Sequence, residues 1–216
     1  MQQGHFGFAA PPARESFAEG AWLLRGLALP VVDDVLAAVD QVVAAAPFRH
    51  MHTPGGLRMS VAMSNCGALG WITDEHGYRY AAHDPASDRP WPAMPPALAQ
   101  LATHAAAEAG HAGFAPDACL VNRYQPGARM TLHQDRNERD LAAPIVSVSL
   151  GLPATFLFGG LRREDPTQRL ALAHGDVVVW GGPSRLCFHG ILPLREGVHA
   201  RLGRCRVNLT FRLAGG

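Results

Sequence analysis

From about residue 117 onward, short apolar runs follow one another, separated by Pro, Gly, Asp and Asn. Eight segments share this texture: DACLVNRY, ARMTLHQD, APIVSVSLGL, ATFLFGG, RLALAHGD, VVVWGG, CFHGILP and CRVNLTFRL. Compact strands at this spacing, with no helical pattern between them, predict a β-sandwich or jelly roll. The first half reads differently. VVDDVLAAVDQVVAAAP (31–47) has apolar residues at helical spacing and ends on proline. PPALAQLATHAAAEAG (95–110) opens with proline and closes with glycine. Both predict helices. Between them, RHMHTPGGLRMSVAMSNCGALGW (49–71) alternates on either side of a TPGG turn and predicts a hairpin. The polar, proline-rich stretch 72–92 predicts a surface loop with little regular structure. The expected organisation is one mainly β, α+β domain over 1–216: a loose tail over 1–16, helices and a hairpin over 17–115, and a strand-built core over 116–213.

Composition narrows the class. Hydrophobic content of 48% with 17% charged residues suits a soluble globular protein. No apolar run reaches the ~18 residues that span a bilayer, and the first residues lack the pattern of a secretory signal. A cytoplasmic protein without membrane contact is expected. Nothing marks a large self-complementary apolar face, so a monomer is expected. Cys66, Cys119, Cys187 and Cys205 have no C-x-x-C spacing and suit buried thiols in a reducing compartment. The net charge of +1 provides no strong overall field to recruit nucleic acid. All 19 basic residues are arginine, a bias that fits GC-rich coding. Several of them cluster, with Arg123, Arg129, Arg136 and Arg139 around residues 130–140.

That segment, MTLHQDRNERD, carries the first candidate chemistry. Positions i and i+2 of a strand face the same way, about 6.5–7 Å apart, so His133 and Asp135 aim an imidazole and a carboxylate at one point. Chance alone supplies about half of one H-x-D match in such a chain, and there are two. The second, His174-Gly-Asp176, has glycine in its middle and reads as a hairpin turn. His189, near the end of a later strand, offers a third ligand. Two imidazoles and one carboxylate on one side of a metal form the facial triad of non-haem iron oxygenases; taken alone, His189 reads rather as a hydrogen-bonded core or rim histidine. In CRVNLTFR, Arg206, Asn208, Thr210 and Arg212 alternate with Val207, Leu209 and Phe211. The polar stripe is either a solvated face or, beside a metal, a pair of guanidinium groups placed for a dicarboxylate.

The order H-x-D, His, R-x-N-x-x-x-R resembles the Fe(II)/2-oxoglutarate dioxygenases and, within them, the AlkB-type nucleic-acid dealkylation enzymes. CLVNRYQPGARMTLHQDRNERD, PIVSVSLGLPATFLFGG, LAHGDVVVWGG and RVNLTFR are similar to that family's core, and residues 47–71 to its nucleotide-recognition flap. The likeness runs from about residue 20 to 213. It implies a double-stranded β-helix (jelly-roll) core with N-terminal helices and a hairpin flap. It further implies that His133, Asp135 and His189 bind Fe(II), and that Arg206 pairs with the distal carboxylate of 2-oxoglutarate. Arg212 and Asn122 would hold the carboxylate nearer the metal, with Tyr124 and Asn208 completing the pocket.

On the substrate side, the resemblance implies a flipped, alkylated DNA base such as 1-methyladenine or 3-methylcytosine, with RNA as the alternative polymer. Trp71 and His133 would sandwich that base, Tyr78 and Arg163 would contact it or its backbone, and Asn137 and Glu138 would lie among the substrate contacts. The implied reaction consumes O2 and 2-oxoglutarate, giving succinate and CO2, and hydroxylates the N-methyl carbon, which leaves as formaldehyde. There is one departure: the family has an acid two residues beyond the aspartate, followed by glutamate, where this chain has Asn137 and Glu138. Asparagine accepts a hydrogen bond without adding charge, so an altered preference among charged and uncharged lesions is expected. Two other readings stand beside this one: an oxygenase acting on something other than nucleic acid, and a non-catalytic jelly-roll binding protein.

Overall fold

Two sheets of unequal size face each other across a cavity in the computed structural model, which describes residues 14–215. Along the chain, β1 (Arg14–Ala18) and β2 (Ala21–Leu24) precede α1 (Val32–Ala45). The hairpin β3 (Arg49–His52) and β4 (Arg58–Gly67) follows, then β5 (Gly70–Asp74), β6 (Gly77–Ala81), β7 (His83–Asp84), β8 (Arg89–Pro90) and α2 (Pro96–Glu108). The second half holds β9 (Ala118–Tyr124), β10 (Met130–His133), β11 (Ile145–Gly151) and β12 (Ala154–Phe158). It ends with β13 (Gln168–Leu172), β14 (Val177–Trp180), β15 (His189–Ile191) and β16 (Arg206–Arg212). The large sheet runs β1-β2-β14-β11-β16-β9-β4-β3, and the small one β10-β15-β12-β13.

The eight strands expected after residue 117 are the eight observed, and both helices lie where their periodicity puts them. In α1 the buried positions Val35, Ala38, Val39 and Val42 form one stripe, and Asp33 and Asp34 sit in the first turn, where the helix dipole favours negative charge. In α2 the stripe is Leu98, Leu101, Ala102, Ala105 and Ala106. These stripes share a core with Val121 of β9, Val146 and Val148 of β11, and Val207, Leu209 and Phe211 of β16. The helices therefore cover one face of the large sheet. Its other face looks into the cavity, so β9, β11 and β16 are buried on both sides. Burying each Leu or Phe there contributes roughly 1.5–3 kcal/mol.

Four expectations need correction. The tail expected over 1–16 falls outside the described residues as far as position 13, but Arg14, Glu15 and Ser16 already pair with β2. The front end is not only helices and a hairpin, because β1 to β4 extend the large sheet on both edges. Residues 72–92 are not an irregular loop: β5 and β6 form a second hairpin in which Trp71 opposes Tyr80 and Thr73 opposes Tyr78. Its aromatics and polar residues share faces, so composition conceals the alternation. Gly77, at φ 108, supplies the left-handed turn residue, and Asp74 accepts hydrogen bonds from His76 N and from Arg79. Finally, the turn at His174–Asp176 joins β13 to β14, which lie in different sheets, so it is a crossover and not a hairpin. Asp176 braces it by accepting from Ala173 N, Gly26 N and Arg25. All four cysteines are free thiols. No helix among the described residues is long and apolar enough to cross a membrane.

Candidate active site

The pairing of β10 with β15 places His133 directly opposite His189, with a bulge between that pair and Met130–Ile191. Gly190 makes this possible, since a Cβ there would stand 2.7 Å from Met130 O and 3.2 Å from Leu132 N. Asp135 follows just beyond the end of β10, in a segment without regular structure. Its Oδ1 lies 3.8 Å from His133 Nε2 and its Oδ2 3.7 Å from His189 Nε2. One ligand atom from each of the three lies within 4.8 Å of the others, the only such cluster of His, Cys, Asp or Glu among the described residues.

The far ring nitrogens fix the tautomers. His133 Nδ1 is 2.8 Å from Thr131 O and His189 Nδ1 is 3.0 Å from Cys187 O. Each Nδ1 therefore carries the proton, and each Nε2 turns a lone pair towards Asp135. Burial, reinforced by the neighbouring His133, pulls His189 down to about 3, so its ring stays neutral and ready to ligate. Burial disfavours an ionised Asp135, but the Arg212 guanidinium outweighs it through its charge and its hydrogen bonds and holds the carboxyl well below its usual range. The donor set fits a divalent iron bound on one face, with the opposite positions open.

The polar stripe of β16 faces the cavity and not solvent. Asn208 is fully engaged: Nδ2 donates to Ser147 Oγ at 2.8 Å and Val148 O at 2.9 Å, and Oδ1 accepts from Thr210 Oγ1 and Asn122 Nδ2. Asn122 Oδ1 is left without a donor. Arg212 forks onto Asp135 Oδ2 through Nε at 2.9 Å and Nη2 at 2.7 Å, so its first partner is the candidate metal ligand. Arg206 is 1% exposed and donates Nε to Ser149 Oγ at 2.9 Å, while its Nη1 is buried with no partner. Tyr124 lies beneath it, 5.0 Å from the guanidinium to the ring centre. Burial lowers the Arg206 pKa from its ordinary value, the mark of a cation lacking an anion.

That orphan is decisive, because an uncompensated buried guanidinium is costly unless a carboxylate or phosphate is to arrive. A family model described as the 2OG-Fe(II) oxygenase superfamily matches residues 29–212. The chain belongs to that superfamily. The oxygenase is 59% identical over 203 residues to the alpha-ketoglutarate-dependent dioxygenase AlkB of Salmonella typhimurium, covering 94% of each chain. It is 56% identical over 206 residues to the Escherichia coli protein of the same name, covering 95% of each. The nucleic acid dioxygenase ALKBH1 of Mus musculus is 33% identical over 132 residues, 60% of this chain and 34% of that one. The solved structure of OsALKBH1 superposes with a TM-score of 0.80 at 25% identity, over 93% of this chain and 99% of that one. The oxygenase is thus an Fe(II)- and 2-oxoglutarate-dependent dioxygenase that uses O2.

The residues expected on the substrate side are more dispersed. Trp71 and Tyr78 stack at 5.7 Å between ring centres on the hairpin β5–β6, where Tyr78 is exposed and Trp71 partly buried. Asn137 Nδ2 reaches Tyr78 O at 3.5 Å. Arg163 donates Nη1 to Leu132 O at 2.6 Å and lies over the Phe188 ring, beside the strand that carries His133. Glu138 differs from the expectation of a base contact: its side chain is 1% exposed, accepts from Tyr80 Oη at 2.6 Å and pairs with Arg185 Nη2 at 3.1 Å. It is turned inward because two buried guanidinium groups compensate its charge there.

Sequence reasoning missed Arg185, Tyr80, Trp180, Ser147 and Ser149. Arg185 donates to Asp135 O at 2.7 Å and Ala143 O at 2.8 Å, holding the irregular segment in place. Trp180 sets its edge against the His189 ring, with Nε1 unpaired. The serines carried a signal, since IVSVSLG alternates in step with the polar stripe opposite it.

Proposed function

We propose that this oxygenase dealkylates N-alkylated bases such as 1-methyladenine and 3-methylcytosine in DNA, single-stranded by preference, with RNA as the alternative polymer. The observation that carries the reading is a single constellation: a His-Asp-His cluster whose two histidines line a cavity, and in the same lining a buried arginine with a free donor. The mouse relative's name as a nucleic acid dioxygenase supports the substrate class, as does the paired-aromatic hairpin tied through Tyr80 to Glu138, three residues from Asp135.

In this reading His133, Asp135 and His189 hold Fe(II). Arg206, with Tyr124 beneath it, takes the distal carboxylate of 2-oxoglutarate, while Arg212 and Asn122 shape the near end. Asn208 acts by fixing Asn122 and Thr210. Bound iron and 2-oxoglutarate supply the oxidising power for C–H hydroxylation, with succinate and CO2 as co-products. The chain's own work is geometric. The stripe of β16 fixes the direction of the co-substrate. The buried walls, including Phe156 and Trp180, keep water from the reacting carbon. The hairpins β3–β4 and β5–β6 serve as the nucleotide-recognition flap, with Trp71 and His133 stacking on the base and Tyr78 and Arg163 contacting base or backbone. A cationic methylated ring gains from the indole face. The hydroxylated methyl group then leaves as formaldehyde. We take the chain to act as one domain and as a monomer in the cytoplasm.

The test is a single-stranded 1-methyladenine oligonucleotide incubated anaerobically with Fe(II) and 2-oxoglutarate, then exposed to air, with formaldehyde and base mass as readouts. Repair that needs both additives and is lost in His133→Ala is the expected outcome. Succinate without repair would move the reaction to another substrate class. Running Asn137→Asp on 1-methyladenine, 3-methylcytosine and uncharged ethenoadenine examines the departure at that position. The acid is expected to shift preference towards the charged bases; an unchanged ranking refutes that role.

A further inference from the structure

Asp135 stands in a stretch, 134–143, that has no regular secondary structure, so side-chain contacts must set its position. Those contacts form a closed set. Arg212 binds Asp135 Oδ2 through Nε and Nη2, and its Nε also lies 3.4 Å from Glu138 Oε1. Arg185 bridges Glu138 Oε2 and the Asp135 carbonyl. The remaining contact comes from outside. Tyr80, in the middle of β6 and directly opposite Trp71, donates its hydroxyl to Glu138 Oε1 at 2.6 Å. Burial and the adjoining carboxylates raise the Tyr80 phenol far above its ordinary range, so it remains a donor. The other polar contact from this hairpin to the segment, Asn137 Nδ2 to Tyr78 O, is long at 3.5 Å.

We propose that Tyr80 is a positioning residue that ties the β5–β6 hairpin to the metal ligand Asp135 through Glu138 and Arg212, so that base engagement on the hairpin and 2-oxoglutarate binding at the metal strengthen each other. The proposal rests on the reading that this hairpin takes the base. Its physical basis is that Arg212 is shared. Glu138 and Asp135 draw on the same guanidinium, and the phenol supplies part of what Glu138 needs. A hairpin that moves away leaves Glu138 short of a donor, and Arg212 rotates towards it at the expense of Asp135. A hairpin held down by a bound base frees Arg212 for Asp135 and for an incoming carboxylate. Such coupling is reciprocal by thermodynamic necessity.

Tyr80→Phe deletes one hydroxyl and keeps the ring that packs across from Trp71. The experiment uses Mn(II)-loaded full-length protein, which binds without turnover. The dissociation constant of 2-oxoglutarate is measured by calorimetry with and without a 1-methyladenine oligonucleotide, and hydrogen exchange is followed across residues 70–81. In wild type the oligonucleotide tightens 2-oxoglutarate binding about fivefold or more, and 2-oxoglutarate alone slows exchange in the hairpin. In Tyr80→Phe the factor falls to near unity and the slowing disappears. A factor retained in the variant, or slowing equal in both proteins, overturns the proposal. So does absence of both effects in wild type. Wild-type protein that binds 2-oxoglutarate but no oligonucleotide defeats the base reading instead, and the exchange measurement then judges the relay by itself. If Tyr80→Phe does not fold, Glu138→Gln replaces it, with the same loss expected.

Discussion

Arg206 carries a full positive charge into a place where its Nη1 is buried without a partner. If Arg206 is the anchor proposed for 2-oxoglutarate, that cost is recovered when the carboxylate binds. Two opposite effects follow for Arg206→Met, which keeps an apolar stem of similar length. Half-saturation by 2-oxoglutarate should rise by about 30-fold or more, since losing one partner of a buried charge pair costs roughly 2–5 kcal/mol. The metal-free, ligand-free protein should unfold at an equal or higher temperature, because the unpaired cation is gone. Anaerobic titration and thermal melts test both, and a variant that loses stability while keeping its affinity contradicts the assignment. At this scale the sequence was legible where chemistry coincided with alternation, as in Arg206 to Arg212. Arg185 stayed invisible because its partners are the carbonyls of Asp135 and Ala143 and a carboxylate 47 residues away. No local pattern encodes contacts of that kind.

Among the elements, β10 and β15 matter most, short as they are. Their register sets one imidazole against the other, and it depends on Gly190 having no side chain. Gly190→Ala forces the backbones of the two strands apart, as overpacking does elsewhere, at about 1–3 kcal/mol. The expected result is a modest loss of stability with a larger loss of Mn(II) affinity, measured by denaturant unfolding and metal titration on one preparation. Equal metal affinity would show that the close approach is dispensable. The helices were legible because Val35, Ala38, Val39 and Val42 repeat with helical period. The hairpin of residues 70–81 was not. Its strands have no continuous apolar face, and its stability comes from contacts such as Asn65 binding both Trp71 N and Trp71 O.

For the molecule as a whole, buried imidazoles make the metal-free protein sensitive to acid. His189 takes up its proton only near pH 3 when folded, but near its ordinary 6.5 when unfolded. Between those values the unfolded chain holds more protons, so stability falls as pH drops, by up to about 1.4 kcal/mol per unit from this residue. His174 and His111, also lowered by burial, act in the same direction. Melting temperature should therefore hold above pH 6.5 and decline below it. Mn(II), which binds only the folded form, should offset the decline. A melting temperature flat from pH 7 to pH 4.5 would contradict the burial of His189 as a neutral ring.

Strand β16 turns one face to the helices and the other to the cavity, and neither face is spare. A slip of one residue would bring arginine against the helices and phenylalanine into the pocket. Insertions or deletions within 206–212 should therefore never yield a well-folded but idle enzyme. At this strand, catalytic competence serves as an assay of correct assembly.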